Sequence, residues 1–99
     1  MVRNTKAGID VLDLKSLPLR DAVREFAHER GLGSSSSWRA DLKKWRFLIY
    51  LSVADSRRAE LIVDVEEDGS RALIQRGDVR DITARTPLGI LRVLRKLVP

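Results

Sequence analysis

Cysteine is absent from this 99-residue chain, and histidine occurs once, at His28. The first absence excludes disulfides, thiol catalysis and thiolate metal sites. The second leaves a transition metal with little but carboxylates for ligands. Aromatic residues are scarce, and no apolar run approaches the roughly 20 residues that span a bilayer. No glycine-rich phosphate loop or Walker pattern occurs. Met1 to Asp13 lacks the apolar core of a secretory signal. These absences lead to the expectation of a soluble, cytoplasmic protein with no membrane partner and no cofactor.

Catalytic chemistry is equally sparse. The serines Ser34 to Ser37 have no elbow motif and no obvious base, so they read as a cap or connection. The acids Asp64, Glu66, Glu67 and Asp68 flank a turn. The alternate acids of a calcium loop are missing after Gly69, and no metal is expected. His28 flanks the apolar stripe of a helix and reads as a partly exposed helix residue. No nucleophile–base pair emerges, and no enzyme is expected.

What is present is an ordinary globular balance, 43% apolar and 33% charged. The length allows one domain, so residues 1–99 form a single basic unit, with residues 1–8 as a loose N-terminal arm. The net charge is +5, and arginine outnumbers lysine 14 to 5. A basic balance favours polyanion partners. The charge is uneven: Leu61 to Asp81 carries six acids and three bases, while Ile82 to Pro99 carries four bases and no acid.

Partial alternation over Ile9 to Leu14 suggests a short edge strand. Ser16 to Arg30 reads as a helix, with Ser16 as N-cap and Pro18 in the first turn. Leu19, Ala22, Val23, Phe26 and Ala27 make its apolar stripe. Gly31 suits a left-handed C′ position and Leu32 the fold-back of a Schellman ending. Trp38, Leu42 and Trp45 recur at steps of four and three residues. They predict a short amphipathic helix from Trp38 to Lys44, with Arg39, Lys43 and Lys44 on its other face.

From Trp45 the period switches to two. Trp45, Phe47, Ile49, Leu51 and Val53 alternate with polar and mixed residues, as do Ala59, Leu61, Val63 and Val65. Two strands with both odd sets on the core require opposed residue numbers to sum to an even number. A five-residue loop satisfies this by placing Leu51 opposite Leu61. A three-residue loop also does, but wants Gly or Asn at its left-handed position and meets Arg58.

Asp68-Gly69 predicts a two-residue turn that pairs Val65 with Ala72 and Val63 with Ile74. Val79 to Ala84 reads as a fourth strand or as irregular structure. A direct hairpin would set Ile74 against Asp81, a mismatch that a bulge would remove. Thr86-Pro87 starts a last helix with Ile90, Leu91, Leu94, Leu97 and Val98 inward and Arg92, Arg95 and Lys96 outward.

The expected fold is α+β: an antiparallel meander of three to four strands flanked by an N-terminal helix, or helix pair, and a C-terminal helix. A winged-helix domain is the rival. Leu48, Tyr50, Ile62 and Leu73 fall on the second sheet face. That face should be covered by the C-terminal helix through Ile90, Leu91 and Leu94, or by a partner in a homodimer.

The first helix, the connection and the Trp38–Lys44 segment have the order of a helix-turn-helix. The next hairpin would be its wing, with Arg57 and Arg58 at the tip. This generic resemblance covers about half the chain. It implies DNA or other nucleic-acid binding through Arg39, Lys43, Lys44, Arg46, Arg57 and Arg58, with Arg92, Arg95 and Lys96 as a second basic face. The alternative is a protein-binding inhibitor or adaptor acting on a larger complex. A phage or mobile-element protein that blocks a host or defence complex would have these features.

Overall fold

The computed structural model describes residues 11–51, 61–77 and 79–98. The expected arm at residues 1–8 and the hairpin tip with Arg57 and Arg58 lie outside the described residues. Helix α1 (Val11–Arg30) leads into strands β1 (Gly33–Arg39), β2 (Lys44–Tyr50), β3 (Leu61–Glu66), β4 (Ala72–Arg76) and β5 (Val79–Ala84), and helix α2 (Pro87–Leu97) follows. The strands form one antiparallel sheet in chain order. This is the α+β class read from the sequence, with five strands rather than three or four.

The first helix starts earlier than expected. Val11 to Leu14 belong to α1 and not to an edge strand; so short an apolar run does not separate the two by periodicity. Ser16 is therefore no N-cap. It is fully buried inside the helix, where its Oγ accepts a hydrogen bond from Arg20 Nε at 2.9 Å. Pro18 also sits inside the helix, where it has no N–H to give the Leu14 carbonyl. The apolar stripe is as expected: Leu19, Ala22, Val23, Phe26 and Ala27 are all buried. The ending is a Schellman motif. Gly31 takes φ +64°, and the Leu32 N–H reaches the Ala27 carbonyl at 2.8 Å.

The helix expected from Trp38 to Lys44 is not there. Gly33–Arg39 is a strand paired with β2 through all seven residues, with Trp38 opposite Trp45. A seven-residue spacing gives two helical turns on one face. It also sets two residues opposite each other across a four-residue hairpin loop, and here the hairpin forms. Lys43 closes that loop in the left-handed region at φ +53°. Its carbonyl accepts the Glu67 N–H at 3.2 Å, which ties this turn to the one between β3 and β4.

The odd-numbered residues of β2 and β3 and the even-numbered residues of β4 form the core as the alternation requires. Phe47, Ile49, Leu61, Val63, Val65, Ala72 and Ile74 are buried, with Leu51 packed at their margin. The β3–β4 register is the expected one, with Val65 opposite Ala72 and Val63 opposite Ile74. The β2–β3 register has the expected parity but is shifted by two: Ile49, not Leu51, lies opposite Leu61. The physical reason lies on the other face. The observed register pairs Leu48 with Ile62 and Arg46 with Asp64; the expected one would have set Leu48 against Asp64. Val79–Ala84 is a strand, and a register shift between Ile74 and Arg76 brings Ile82 rather than Asp81 opposite Ile74.

Both helices cover the same face. Helix α1 packs on β1, β2 and β3, α2 packs on β4 and β5, and the helices pack on each other. Thr86 caps α2 as expected, its Oγ1 accepting the Gly89 N–H at 2.9 Å. Ile90 and Leu94 enter the same core as Val23 and Phe26. The expectation that α2 covers Leu48, Tyr50, Ile62 and Leu73 is therefore wrong. Lying beside α1, α2 buries apolar area against a helix and a sheet at once, which the second face could not offer.

Two measurements check this packing. Ile49 is completely buried among core residues, so Ile49→Ala should lower unfolding free energy by about 2–5 kcal/mol in denaturant titration. Gly69 has φ +72°, and a Cβ there would collide with the Lys15 carbonyl of α1; Gly77 has φ +53° with open space around it. Gly69→Ala should therefore cost clearly more than Gly77→Ala, whose cost is the left-handed backbone alone, about 1–2 kcal/mol.

Candidate functional site

The strand residues that alternate with the core set, even-numbered on β2 and β3 and odd-numbered on β1 and β4, build a second sheet face that no described element covers. The registers place Arg46 beside Asp64, Leu48 beside Ile62, and Leu73 opposite both Asp64 and Thr83. Ser35 and Gly33 continue the face onto β1, opposite Leu48 and Tyr50. Leu48, Tyr50, Ile62 and Leu73 are each partly exposed.

An ion pair sits among these apolar residues. Arg46 donates from Nε and Nη2 to the two Asp64 carboxylate oxygens at 2.8 and 2.9 Å. The Asp64 carboxylate holds the Arg46 guanidinium above its ordinary pKa. Two parallel hydrogen bonds fix the guanidinium plane, so Arg46 is held on the face instead of sweeping through solvent. At the turn end of the face, Glu66 takes Lys44 at 3.5 Å and Arg71 at 3.7 Å.

The other expected site residues scatter. Arg39 ends β1 and pairs with Asp41 at 3.1 Å, which draws the Asp41 carboxyl below its usual range. Lys43 is exposed in the hairpin turn. Thus Arg39, Lys43 and Lys44 come together at one hairpin end, with Arg46 two residues into the sheet. They do so on a hairpin and not on a recognition helix, and all but Lys43 are in ion pairs. Of the second group, Arg95 is held by Glu29 of α1 at 2.8 and 3.3 Å. Arg92 and Lys96 are exposed and, with Arg85 and Lys43, form no ion pair among the described residues.

Sequence reasoning missed Asp64, which sets the position of Arg46. The signal was available in cross-strand pairing, because the observed register sets Leu48 against Ile62 whereas the expected one would set it against Asp64. It also missed the stack beside α1. The Arg20 guanidinium lies 4.5 Å from the Trp45 ring centroid, and Trp45 lies 5.3 Å from Trp38. Arg20 is nearly buried there, and Trp38 keeps 38% of its surface exposed at the sheet edge. Among the described residues no three of His, Asp or Glu gather in a way that could hold a metal ion. No described helix is long and apolar enough to cross a membrane. No protein-family model matches the chain, and no curated protein or solved structure matches it either.

The Glu29–Arg95 pair joins the C-terminal ends of the two helices and is open to acid. Arg95 lowers the Glu29 pKa below 4.5. A carboxylate with a depressed folded-state pKa stabilises the fold above its unfolded value, and the contribution fades as pH falls through the folded value. Glu29→Gln should therefore lower the thermal midpoint at neutral pH. The difference from the parent should shrink below pH 4.5 and vanish once Glu29 is protonated. Thermal melts across that range check the sign.

Proposed function

We propose that this chain is a non-enzymatic binding protein that acts by docking its uncovered sheet face on a protein partner, as an inhibitor or adaptor. One observation carries the reading: partly exposed Leu48, Tyr50, Ile62 and Leu73 surround a fixed Arg46–Asp64 pair on a face without a cover among the described residues. An apolar centre with Tyr and Arg, bordered by polar groups, has the composition of a protein interface. Charges on the face nearly balance, with Lys44, Arg46 and Arg71 against Asp64 and Glu66. Such a surface suits a partner of mixed character better than a polyanion.

Nucleic acid is the second reading, favoured by a different surface. Arg85, Arg92 and Lys96 are exposed, have no ion-pair partner among the described residues, and belong to a segment with no acid. Phosphate contacts through such residues release counterions, so affinity would fall steeply with salt.

Paired reversals separate the two. L48E/L73E places charge on the open face, and R92E/K96E reverses the outer side of α2. Neither changes a fully buried residue, so both proteins should keep the parent's circular dichroism. Under the protein reading, cross-linking in cell extract followed by mass spectrometry returns a defined partner with the parent and with R92E/K96E. L48E/L73E then binds the purified partner at least about tenfold less tightly, a loss of about 1.4 kcal/mol. Salt-sensitive binding of the parent to random duplex DNA or RNA, abolished by R92E/K96E and unaffected by L48E/L73E, would move the function to α2.

A further inference from the structure

The two edges of the sheet are built differently. The β5 edge follows a register shift between Ile74 and Arg76 and carries the exposed Asp81. Bulges and charges of this kind prevent a sheet edge from pairing with another strand. The β1 edge has neither protection along most of its length. It runs for seven residues in unbroken register with β2, six of them exposed. It holds no proline and no charge before Arg39 at its end. Nothing among the described residues pairs with its outer side. The backbone N–H and C=O groups that point away from β2 are a template for a further strand.

We propose that β1 is a self-association edge, on which the β1 strand of a second copy pairs antiparallel about a two-fold axis at Ser36. This goes beyond the docking face described above and does not depend on it. A two-fold axis normal to the sheet makes the pairing antiparallel and keeps both helical layers on one side. The full overlap places Ser36 opposite itself, Ser35 opposite Ser37, Ser34 opposite Trp38 and Gly33 opposite Arg39.

The strand is complementary to itself in that register. Its single charge falls opposite the one residue without a side chain, so the two arginines never face each other. Each Trp38, now 38% exposed, closes over a small Ser34 of the second copy. Gly33 lies between the incoming Arg39 and Tyr50, the residue paired with Gly33 in β2. With no Cβ in the way, the guanidinium has a path to the tyrosine ring. An interface of one strand pair is small beside stable complexes, which bury more than about 1,200 Å². The dimer is therefore weak and concentration-dependent, and it joins the two open faces into one ten-stranded surface.

The absence of native cysteine makes the register testable, because a single introduced thiol forms a disulfide only between chains. Directly opposed residues in an antiparallel pair have Cα atoms about 4.5–5.5 Å apart, within the range a disulfide spans. Ser36 and Ser34 are both exposed, so neither substitution should disturb the fold. Sedimentation velocity of the parent over a concentration series should show the 11.2 kDa species giving way to one of twice that mass. Ser36→Lys should abolish the shift while keeping the parent's circular dichroism, since it sets two like charges face to face. Under mild oxidation Ser36→Cys should cross-link faster than Ser34→Cys, whose thiol meets Trp38. A parent that stays monomeric throughout would overturn the proposal, as would equal cross-linking of the two cysteine variants or a Ser36→Lys protein that still dimerises.

Discussion

Two helices of this size cover one face of a five-stranded sheet, and in this chain both cover the same one. Most other features of the molecule follow from that. The central strand residues on the helix side must be apolar, because they meet α1 or α2, and they include the completely buried Ile49, Leu61, Val63, Val65 and Ile74. The residues of the opposite face are released from the core, yet they are not those of a plainly solvated face. Leu48, Ile62 and Leu73 stand on it beside two strands' worth of paired charge. Burial of the helix-side face stabilises the fold; the composition of the open face is then free to serve recognition.

The same division explains where the positive charge goes. A chain of net charge +5 could present one electropositive surface, but the sheet registers set two of its strand cations against acids. Arg46 faces Asp64, and Lys44 faces Glu66, because their strands are antiparallel and in register. Arg39 closes on Asp41 within the adjoining turn, and Arg95 closes on Glu29 across the helix pair. Net charge and its location are thus separate quantities. Among the described residues, Lys43 in a turn, Arg85 just before the last helix, and Arg92 and Lys96 along it are exposed and in no ion pair.

Much of the fold was legible wherever one face had to be buried. Period-two alternation gave Phe47 to Leu51 and Leu61 to Val65, the Asp68-Gly69 turn gave the β3–β4 register, and Thr86-Pro87 gave the start of α2. Legibility failed where two structures share one spacing. Trp38 and Trp45 are seven residues apart, which suits a helical face and a hairpin pair alike. Serine has little preference for strands, so Ser34 to Ser37 carried no local signal; they pair because β2 offers them a ladder. The site was less legible than the core. Its basic residues could be named, but their partners depend on register, and parity alone left the β2–β3 register uncertain by two residues. Considering the open face as well would have resolved it, since the observed register pairs Leu48 with Ile62 and the expected one would set Leu48 against Asp64.

The serine run that misled the helix assignment also gives the sheet its particular edge. Small, uncharged side chains let β1 pair with β2 without steric demand, and they leave its outer side without the charges that usually guard an edge. The strand gains its place through backbone hydrogen bonds more than through side-chain burial, for six of its seven residues remain exposed. Trp38, though exposed, is anchored against Trp45, which in turn lies under the Arg20 guanidinium of α1. That stack fixes one end of an otherwise featureless strand and thereby sets the register of its outward-facing backbone. An edge that is bare but pinned presents its donors and acceptors in a fixed order, which strand pairing requires and a frayed edge could not provide.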